Sequence, residues 1–333
     1  MKTLCKILVI ALVSSGALFA SPDAKKLPAQ CDKACLNKAV DTYLAALVAH
    51  NPSQAPLSPH VEFVENTEDM KPGEGLWKGA SALPATFKIY VPDPVSEEVG
   101  FFGMMQENND PILLALRLKI RHGEIVAAEH LVLRQAKYPG GYVGDLSPSD
   151  LKNLQEPRKA FLTPVPPSER NSREDMIRIA SMYYPALTSA DANNAPFADD
   201  CVRHEGGTQS TGNPPPATPS LDTLESLGCA AQLKTHTMDY NKRIEPVRVM
   251  IADPETGLVF GLSQFRHPMK EKSEPIVGVP GVTVRPLTFK PFDCPAGHIF
   301  KVYGGKIHEI EATGIVTPYN SRTGWENFPD HGR

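Results

Sequence analysis

The sequence contains the same order of signals twice, and this internal repeat restricts the fold more than any other feature. Four positions of the first half recur 140 residues further on, which pairs Tyr43 with Tyr183, Leu47 with Leu187, Asn51 with Asp191 and Glu65 with Glu205. Later in each half the spacing grows to 182, where Glu129 corresponds to Glu311. Two copies are too few for a solenoid. The repeat therefore predicts duplication of one domain.

Each copy has the pattern of a helix followed by strands. In the first copy, residues 32–50 place apolar side chains at helical spacing until Asn51-Pro52 ends the helix. Runs rich in β-formers follow, separated by turns, at residues 61–65, 86–91, 99–106, 112–120 and 125–133. The second copy opens with a helix from Ser172 to about Leu187. The pattern predicts an α+β fold with a meander of antiparallel strands.

Proline divides the chain into these parts. It makes up 32 of the 333 residues, about twice the usual share of ~5%. Much of it lies in residues 136–171, which we predict to be a linker, and in two insertions of the second copy, 208–227 and 269–291. We therefore expect a first domain at 31–135, a second at 172–320 and a C-terminal tail at 321–333.

The first 20 residues predict a signal peptide. Lys2 and Lys6 flank the start of an apolar run that ends in small residues. A membrane anchor is the alternative, but the run is short for a span and contains two serines and a glycine. We expect cleavage near Ala20, a secreted or periplasmic protein and no membrane contact afterwards. The net charge of −4 argues against a nucleic-acid partner.

The five cysteines after this segment predict disulfides, because export leads to an oxidising compartment. Cys31 and Cys35 lie four residues apart at a helix start, and Cys201 and Cys229 bracket the first insertion. We expect both pairs to be bonded, which leaves Cys294 unpaired. A zinc site is the alternative, but no Cys-x-x-Cys pair or Cys/His cluster supports it. We predict no metal.

A long helix followed by a strongly curved antiparallel sheet resembles the nuclear-transport-factor-two-like fold, which includes the ketosteroid-isomerase and SnoaL-like families. The second copy also resembles an exported bacterial and fungal family of little-known function, on the segments 202–207, 257–260, 267–268 and 304–312. The resemblance implies two tandem cone-shaped domains, each with N-terminal helices packed on a curved antiparallel sheet around a pocket. It also implies an internal pseudo-dimer or a homodimer.

Four residues of the second copy are candidates for catalysis in that pocket. Glu205 ends the first strand and His298 replaces Leu116 of the first copy, and either could transfer a proton. Tyr183 or His267 could stabilise a developing negative charge. A solvated glutamate, a core histidine and a core tyrosine are the alternatives.

Further residues are candidates for substrate binding. In the second copy they are His204, Gln264 and Phe300, although strand alternation predicts that His204 and Glu205 point in opposite directions. In the first copy they are Glu65 and Trp77, the latter as a cap or as core packing.

These residues suit a cofactor-independent lyase, dehydratase or isomerase that acts on a small hydrophobic, aromatic or polyketide-like molecule. A non-catalytic exported protein that binds such a molecule is the alternative, and a purely structural module is a third. The fold itself does not choose between them.

Overall fold

A computed structural model describes residues 26–134, 146 and 148–326. The predicted signal peptide, part of the predicted linker and the last seven residues lie outside this range. The predicted α+β class is confirmed, because each half has helices packed against a seven-stranded sheet. No helix of the described part is long and apolar enough to cross a membrane.

The first copy begins with α1 (Lys33–Val48), which Asp32 caps by accepting a hydrogen bond from the Cys35 amide. Seven strands follow: β1 (Leu57–Glu65), β2 (Glu68–Met70), β3 (Ala80–Ala82), β4 (Lys88–Asp93), β5 (Glu98–Glu107), β6 (Asp110–Arg121) and β7 (Glu124–Arg134). The apolar stripe of α1 is buried against the concave side of this sheet, as its helical spacing requires.

The second copy has two helices, α4 (Arg173–Ser181) and α5 (Tyr183–Ser189), where the sequence predicts one. The break at Met182 has a local cause: Pro185 has no amide hydrogen to donate to the Ser181 carbonyl. Its remaining elements are β8 (Phe197–Glu205), β9 (Thr208–Gln209), α6 (Cys229–Leu233), β10 (Arg243–Asp253), β11 (Leu258–His267), β12 (Ser273–Pro275), β13 (Val284–Pro286), β14 (Phe292–Tyr303), β15 (Lys306–Gly314) and β16 (Thr317–Pro318).

The two sheets have equivalent strand orders. The first runs β2-β1-β7-β6-β5-β4, with β3 also on β5, and the second runs β9-β8-β15-β14-β11-β10, with β16 on β14. The hairpin-connected strands are antiparallel as predicted, but β1 pairs with β7, and β8 with β15, in parallel. The first strand of each copy thus lies beside the last long strand of that copy, a long-range pairing that local sequence does not reveal.

The convex faces of the two sheets pack against each other. Their shared core contains Phe102 and Leu113 from the first copy and Phe260 and Ile299 from the second. The approach is close: a Cβ on Gly100 would come within 2.3 Å of the Phe260 ring. The two concave faces therefore point away from each other.

Equivalent ion pairs join the copies in both directions. Arg173 lies 2.7 Å from Asp93, and Lys33 lies 2.5 Å from Asp253. Arg173 is the repeat equivalent of Lys33, and Asp253 that of Asp93. Such reciprocity is what an approximate two-fold axis produces.

The described part of the linker forms α2 (Pro148–Asn153) and α3 (Lys159–Leu162). Leu154 and Phe161 bury their side chains in the core shared by the sheets. Arg158 pairs with Glu309 and Glu311 of β15 at 2.5 and 2.7 Å. This described part is therefore packed on the second copy.

Both predicted disulfides, Cys31–Cys35 and Cys201–Cys229, are present, and Cys294 is free and buried. The first pair lies at the start of α1. The second joins the middle of β8 to the first residue of α6, shortly before the segment that carries Met238 and Tyr240.

Candidate functional site

The second copy contains a cavity of about 70 Å³ between α5 and the concave face of its sheet. The four predicted catalytic residues all line it: Tyr183, Glu205, His267 and His298. We call this space the inner cavity; its remaining lining is Leu187, Met238, Tyr240, Asn241, Phe265, Cys294, Ala296, Ala312, Thr313 and Gly314.

Small residues keep the inner cavity open. Strand register matches Ala296, Ala312 and Gly314 with Leu114, His130 and Val132 of the first copy. The larger side chains of the first copy fill the equivalent space and belong to its core. The same fold therefore encloses a packed core in the first copy and an open cavity in the second.

Glu205 lies at the rim of the inner cavity, beside Arg203. Its carboxylate is 2.8 Å from Arg203 Nε, and its side chain is 40% exposed, against 4% for Arg203. Arg203 also donates to the Ser210 hydroxyl at 3.0 Å and to Gln232 Oε1 at 2.5 Å. This arginine was missed in the sequence, although its spacing of two from Glu205 places both side chains on one face of β8.

Tyr183 supplies a hydroxyl that stays protonated. Burial raises its pKa to about 12, although Arg203 acts in the opposite direction. Its ring packs against Phe300 and His298, with centroids 5.4 and 5.6 Å away. Tyr183 is therefore suited to donate a hydrogen bond and unsuited to act as a base at neutral pH.

His298 differs from the sequence expectation of a histidine titrating near neutrality. Burial, with a contribution from the Arg203 charge, lowers its pKa to about 3. Its Nδ1 lies 3.3 Å from the Tyr184 hydroxyl, and its ring stacks on Phe300 at 5.6 Å. His298 is thus a neutral hydrogen-bonding group, and Phe300 packs beneath it as core.

His267 lies at the other end of the inner cavity and is neutral as well. Burial lowers its pKa to about 4. The ring packs between Phe292 and Tyr240, at 4.5 and 5.4 Å, and its Nδ1 has no hydrogen-bond partner in the described part of the chain. His267 is thus a buried, neutral side chain at this end of the inner cavity.

Two predicted binding residues lie outside the inner cavity because side chains alternate along a strand. His204 points to the opposite side of β8 from Glu205, where burial and the Arg158 charge lower its pKa to about 3. Gln264 points to the opposite side of β11 from Phe265 and donates to the Ser321 hydroxyl at 3.0 Å.

A second, larger space of about 340 Å³ adjoins the inner cavity, and we call it the vestibule. The two spaces share Glu205, Met238 and Tyr240 in their linings. Both insertions contribute to its walls, through residues such as Asp222 and Glu225 from the first and Arg285 and Phe289 from the second. The Cys201–Cys229 disulfide anchors the segment that carries Met238 and Tyr240.

The first copy holds a closed polar network where the second has its cavity. The Tyr43 hydroxyl lies 2.9 Å from His130 Nε2, and His130 Nδ1 lies 3.2 Å from the Glu65 carboxylate. Glu65 also accepts hydrogen bonds from Arg134 at 2.9 Å and from the Leu76 amide at 2.8 Å. Glu65 is thus fully engaged within the protein.

His130 was also missed in the sequence, although a spacing of 182 pairs it with Ala312 and marks the difference between the copies. Trp77 does not cap an open pocket: it is 1% exposed and packs edge-on against Tyr43 at 5.2 Å. Of the two alternatives for Trp77, the structure shows core packing.

A family model matches part of the chain that includes most of the second copy. Residues 169–314 match a family described as "Domain of unknown function (DUF8021)". No curated protein matches the chain.

Solved structures show weak similarity to parts of the chain. A provisionally named polyketide cyclase from Silicibacter sp. tm1040 aligns with 13% identity and a TM-score of 0.27, over 43% of this chain and 90% of its own. IdmH from Streptomyces antibioticus, also provisionally named a polyketide cyclase, aligns with 16% identity and a TM-score of 0.25, over 42% and 91%. AclR from Streptomyces galilaeus, provisionally named a hydroxylase, aligns with 10% identity and a TM-score of 0.26, over 44% and 83%. Scores this low carry no argument about activity.

Proposed function

We propose that the protein is an exported, cofactor-independent lyase, dehydratase or isomerase that acts on a small hydrophobic, ring-containing molecule in the inner cavity. The observation that carries the proposal is the convergence of Tyr183, Glu205, His267 and His298 on one cavity, whose first-copy equivalent is filled. The aromatic and apolar lining, including Phe265, Met238 and Leu187, favours a flat apolar ligand.

Glu205 is the residue to which we assign proton transfer. It is a carboxylate at the cavity rim, whereas the histidines bind protons only well below neutral pH. In the proposed step, Glu205 removes a proton from the carbon next to a carbonyl, and the electron pair moves to the carbonyl oxygen. In an isomerisation the proton then returns to another carbon. In an elimination the electron pair returns from oxygen, a carbon–carbon double bond forms as the bond to the β-substituent breaks, and the substituent leaves with the proton from Glu205.

Tyr183 and the neutral histidines would stabilise the oxyanion of this step. Tyr183 keeps its proton and can donate it to a hydrogen bond. Arg203, next to Glu205 and close enough to Tyr183 to influence its pKa, adds positive charge in a buried setting where electrostatic effects are strong.

Proton exchange into simple ketones tests this assignment, because exchange requires only the first step of the proposed reaction. We would incubate the protein in D₂O with a panel of small aryl and cyclic ketones and follow deuterium incorporation by NMR. The wild type should accelerate exchange, Glu205→Gln should not, and the matched first-copy variant Glu65→Gln should behave as wild type. Equal exchange by the wild type and Glu205→Gln would remove Glu205 from the chemistry.

A non-catalytic binding protein is the second candidate, favoured by one observation. Both cavity histidines are held neutral and Glu205 is paired with Arg203, as in a site built for hydrogen bonding alone. Such a protein would bind the aryl and cyclic ketones of the exchange panel, but deuterium incorporation into them would stay at the background rate.

A further inference from the structure

We propose that the ligand has two parts: an apolar ring in the inner cavity and a neutral, hydroxyl-rich group, such as a hexose, in the vestibule. The inference deepens the proposed function and rests on it, because it takes the inner cavity as the site for the ring. It adds the chemical class of the second part.

The inner cavity and the vestibule adjoin, because Glu205, Met238 and Tyr240 line both spaces. A ligand that passes these side chains would occupy both. The inner cavity is about 70 Å³ and the vestibule about 340 Å³. A ligand confined to the inner cavity would leave the larger space unused.

The charged side chains of the vestibule disfavour an anionic group. The vestibule contains two guanidinium groups, and both are already engaged: Arg203 pairs with Glu205, and Arg285 donates to the Thr237 carbonyl oxygen at 2.6 Å. Two further carboxylates, Asp222 and Glu225, also line it. An anion would be repelled by these carboxylates, which make no ion pair within the described residues, whereas the hydroxyl groups of a neutral ligand would donate hydrogen bonds to them.

The vestibule also presents polar side chains that can accept hydrogen bonds from a ligand. The side chains of Asp222, Glu225 and Thr288 make no hydrogen bond or ion pair within the described residues, which leaves acceptors and one hydroxyl available around the vestibule. A ligand rich in hydroxyl groups supplies the matching donors.

Three probes test the inference on the full chain: phenol, methyl β-D-glucopyranoside and phenyl β-D-glucopyranoside, each measured by calorimetric titration. Linking the two parts makes binding of the second intramolecular. We expect the phenyl glucoside to bind at least about tenfold more tightly than phenol. Equal affinity of the two would overturn the inference.

Two double variants test whether the vestibule carboxylates cause the tighter binding of the phenyl glucoside. Asp222→Ala/Glu225→Ala should reduce the affinity for the phenyl glucoside to that for phenol and leave phenol binding unchanged. Glu68→Ala/Asp69→Ala, the same charge change at exposed positions of β2, should keep the gain. A gain that survives in the vestibule variant, or tighter binding of phenyl phosphate or phenethylamine than of the glucoside, would overturn the inference.

The same measurements separate failure of the proposed function. Ala296→Leu should abolish binding of both aryl probes because it fills the inner cavity. If phenol does not bind the wild type, or binds Ala296→Leu as well as wild type, the ring site itself is wrong and the proposed function falls with this inference. If phenol binding is lost in Ala296→Leu and the glucoside has no advantage, only the vestibule assignment falls.

Discussion

The two copies carry a histidine on different strands of equivalent sheets. The first copy, with its histidine on β7, has a filled cone, and the second, with its histidine on β14, has an open cavity. In the first copy His130 lies on β7, next to Glu65 on β1, and links that carboxylate to Tyr43. In the second copy that place is Ala312, and His298 on β14 replaces Leu116. Ala312 offers Tyr183 no hydrogen-bonding side chain where His130 contacts Tyr43, and Tyr183 lines the inner cavity.

The strongest effect is expected at the two equivalent glutamates. Glu205→Gln should lower turnover of any substrate found in the exchange panel by roughly 10²- to 10⁴-fold, the usual contribution of a general base. Glu65→Gln should leave turnover unchanged because Glu65 is enclosed by His130, Arg134 and the Leu76 amide. Steady-state kinetics on both variants checks this. Equal losses would show that the copies are not functionally distinct.

The next largest effect is the loss of stability at low pH that we expect from protonation of Glu65 in the first copy. Burial alone would raise the pKa of Glu65, but His130, Arg134 and the Leu76 amide lower it to about 2 from 4.5. Its contribution to stability is therefore complete above pH 4.5 and is lost as the pH falls towards 2. The size is on the order of 3 kcal/mol.

Urea unfolding between pH 6 and 2.5 measures this dependence. Glu65→Gln should remove the Glu65 part of the decline. Phe63→Leu, which loosens the packing on His130 and keeps the carboxylate, should lower the free energy of unfolding by a similar amount at every pH. Parallel curves for the wild type and Glu65→Gln would contradict the prediction.

A reciprocal exchange of side chains tests the filled and open cones directly. Leu114→Ala should cost about 3 kcal/mol of stability, since Leu114 is fully buried in the first core. Ala296→Leu at the equivalent position should change stability by no more than about 1 kcal/mol, because the added atoms enter existing space. Denaturation of both variants is the measurement, and similar losses at the two positions would argue against the open cavity.

The weakest effect is expected for His298→Leu, which installs the first-copy residue. Because His298 is neutral and contacts Tyr184, we expect turnover to fall by about tenfold through the loss of one hydrogen bond. The pH dependence of the activity should keep its shape. A shifted acid limb in this variant would instead identify His298 as the base.

Several features were predictable from residue spacing. The repeat predicted two equivalent α+β units, and the 182-residue spacing placed His298 opposite Leu116, which the strand register matches. Strand alternation separated His204 from Glu205. Local rules suffice here because side-chain direction along a strand depends only on the count of residues.

Other features depend on residues distant in sequence. The parallel pairing of β1 with β7 brings His130 beside Glu65, and the fold of α6 brings Gln232 to Arg203. His130 did not stand out in the sequence because its partners Glu65 and Tyr43 are 65 and 87 positions away. The expected titration of His298 near neutrality failed for the same reason: burial and Arg203 lower its pKa.

Residue order alone predicted the repeat of a helix and a meander of strands, the two cysteine pairs and the residues that share a face of each strand. These properties follow from local periodicity and from the correspondence between the two copies. Three-dimensional packing was needed to establish that the convex faces meet, that one cone is filled and the other open, and that the cavity histidines are neutral. Packing volume and desolvation are sums over neighbours from the whole chain, so no local pattern contains them.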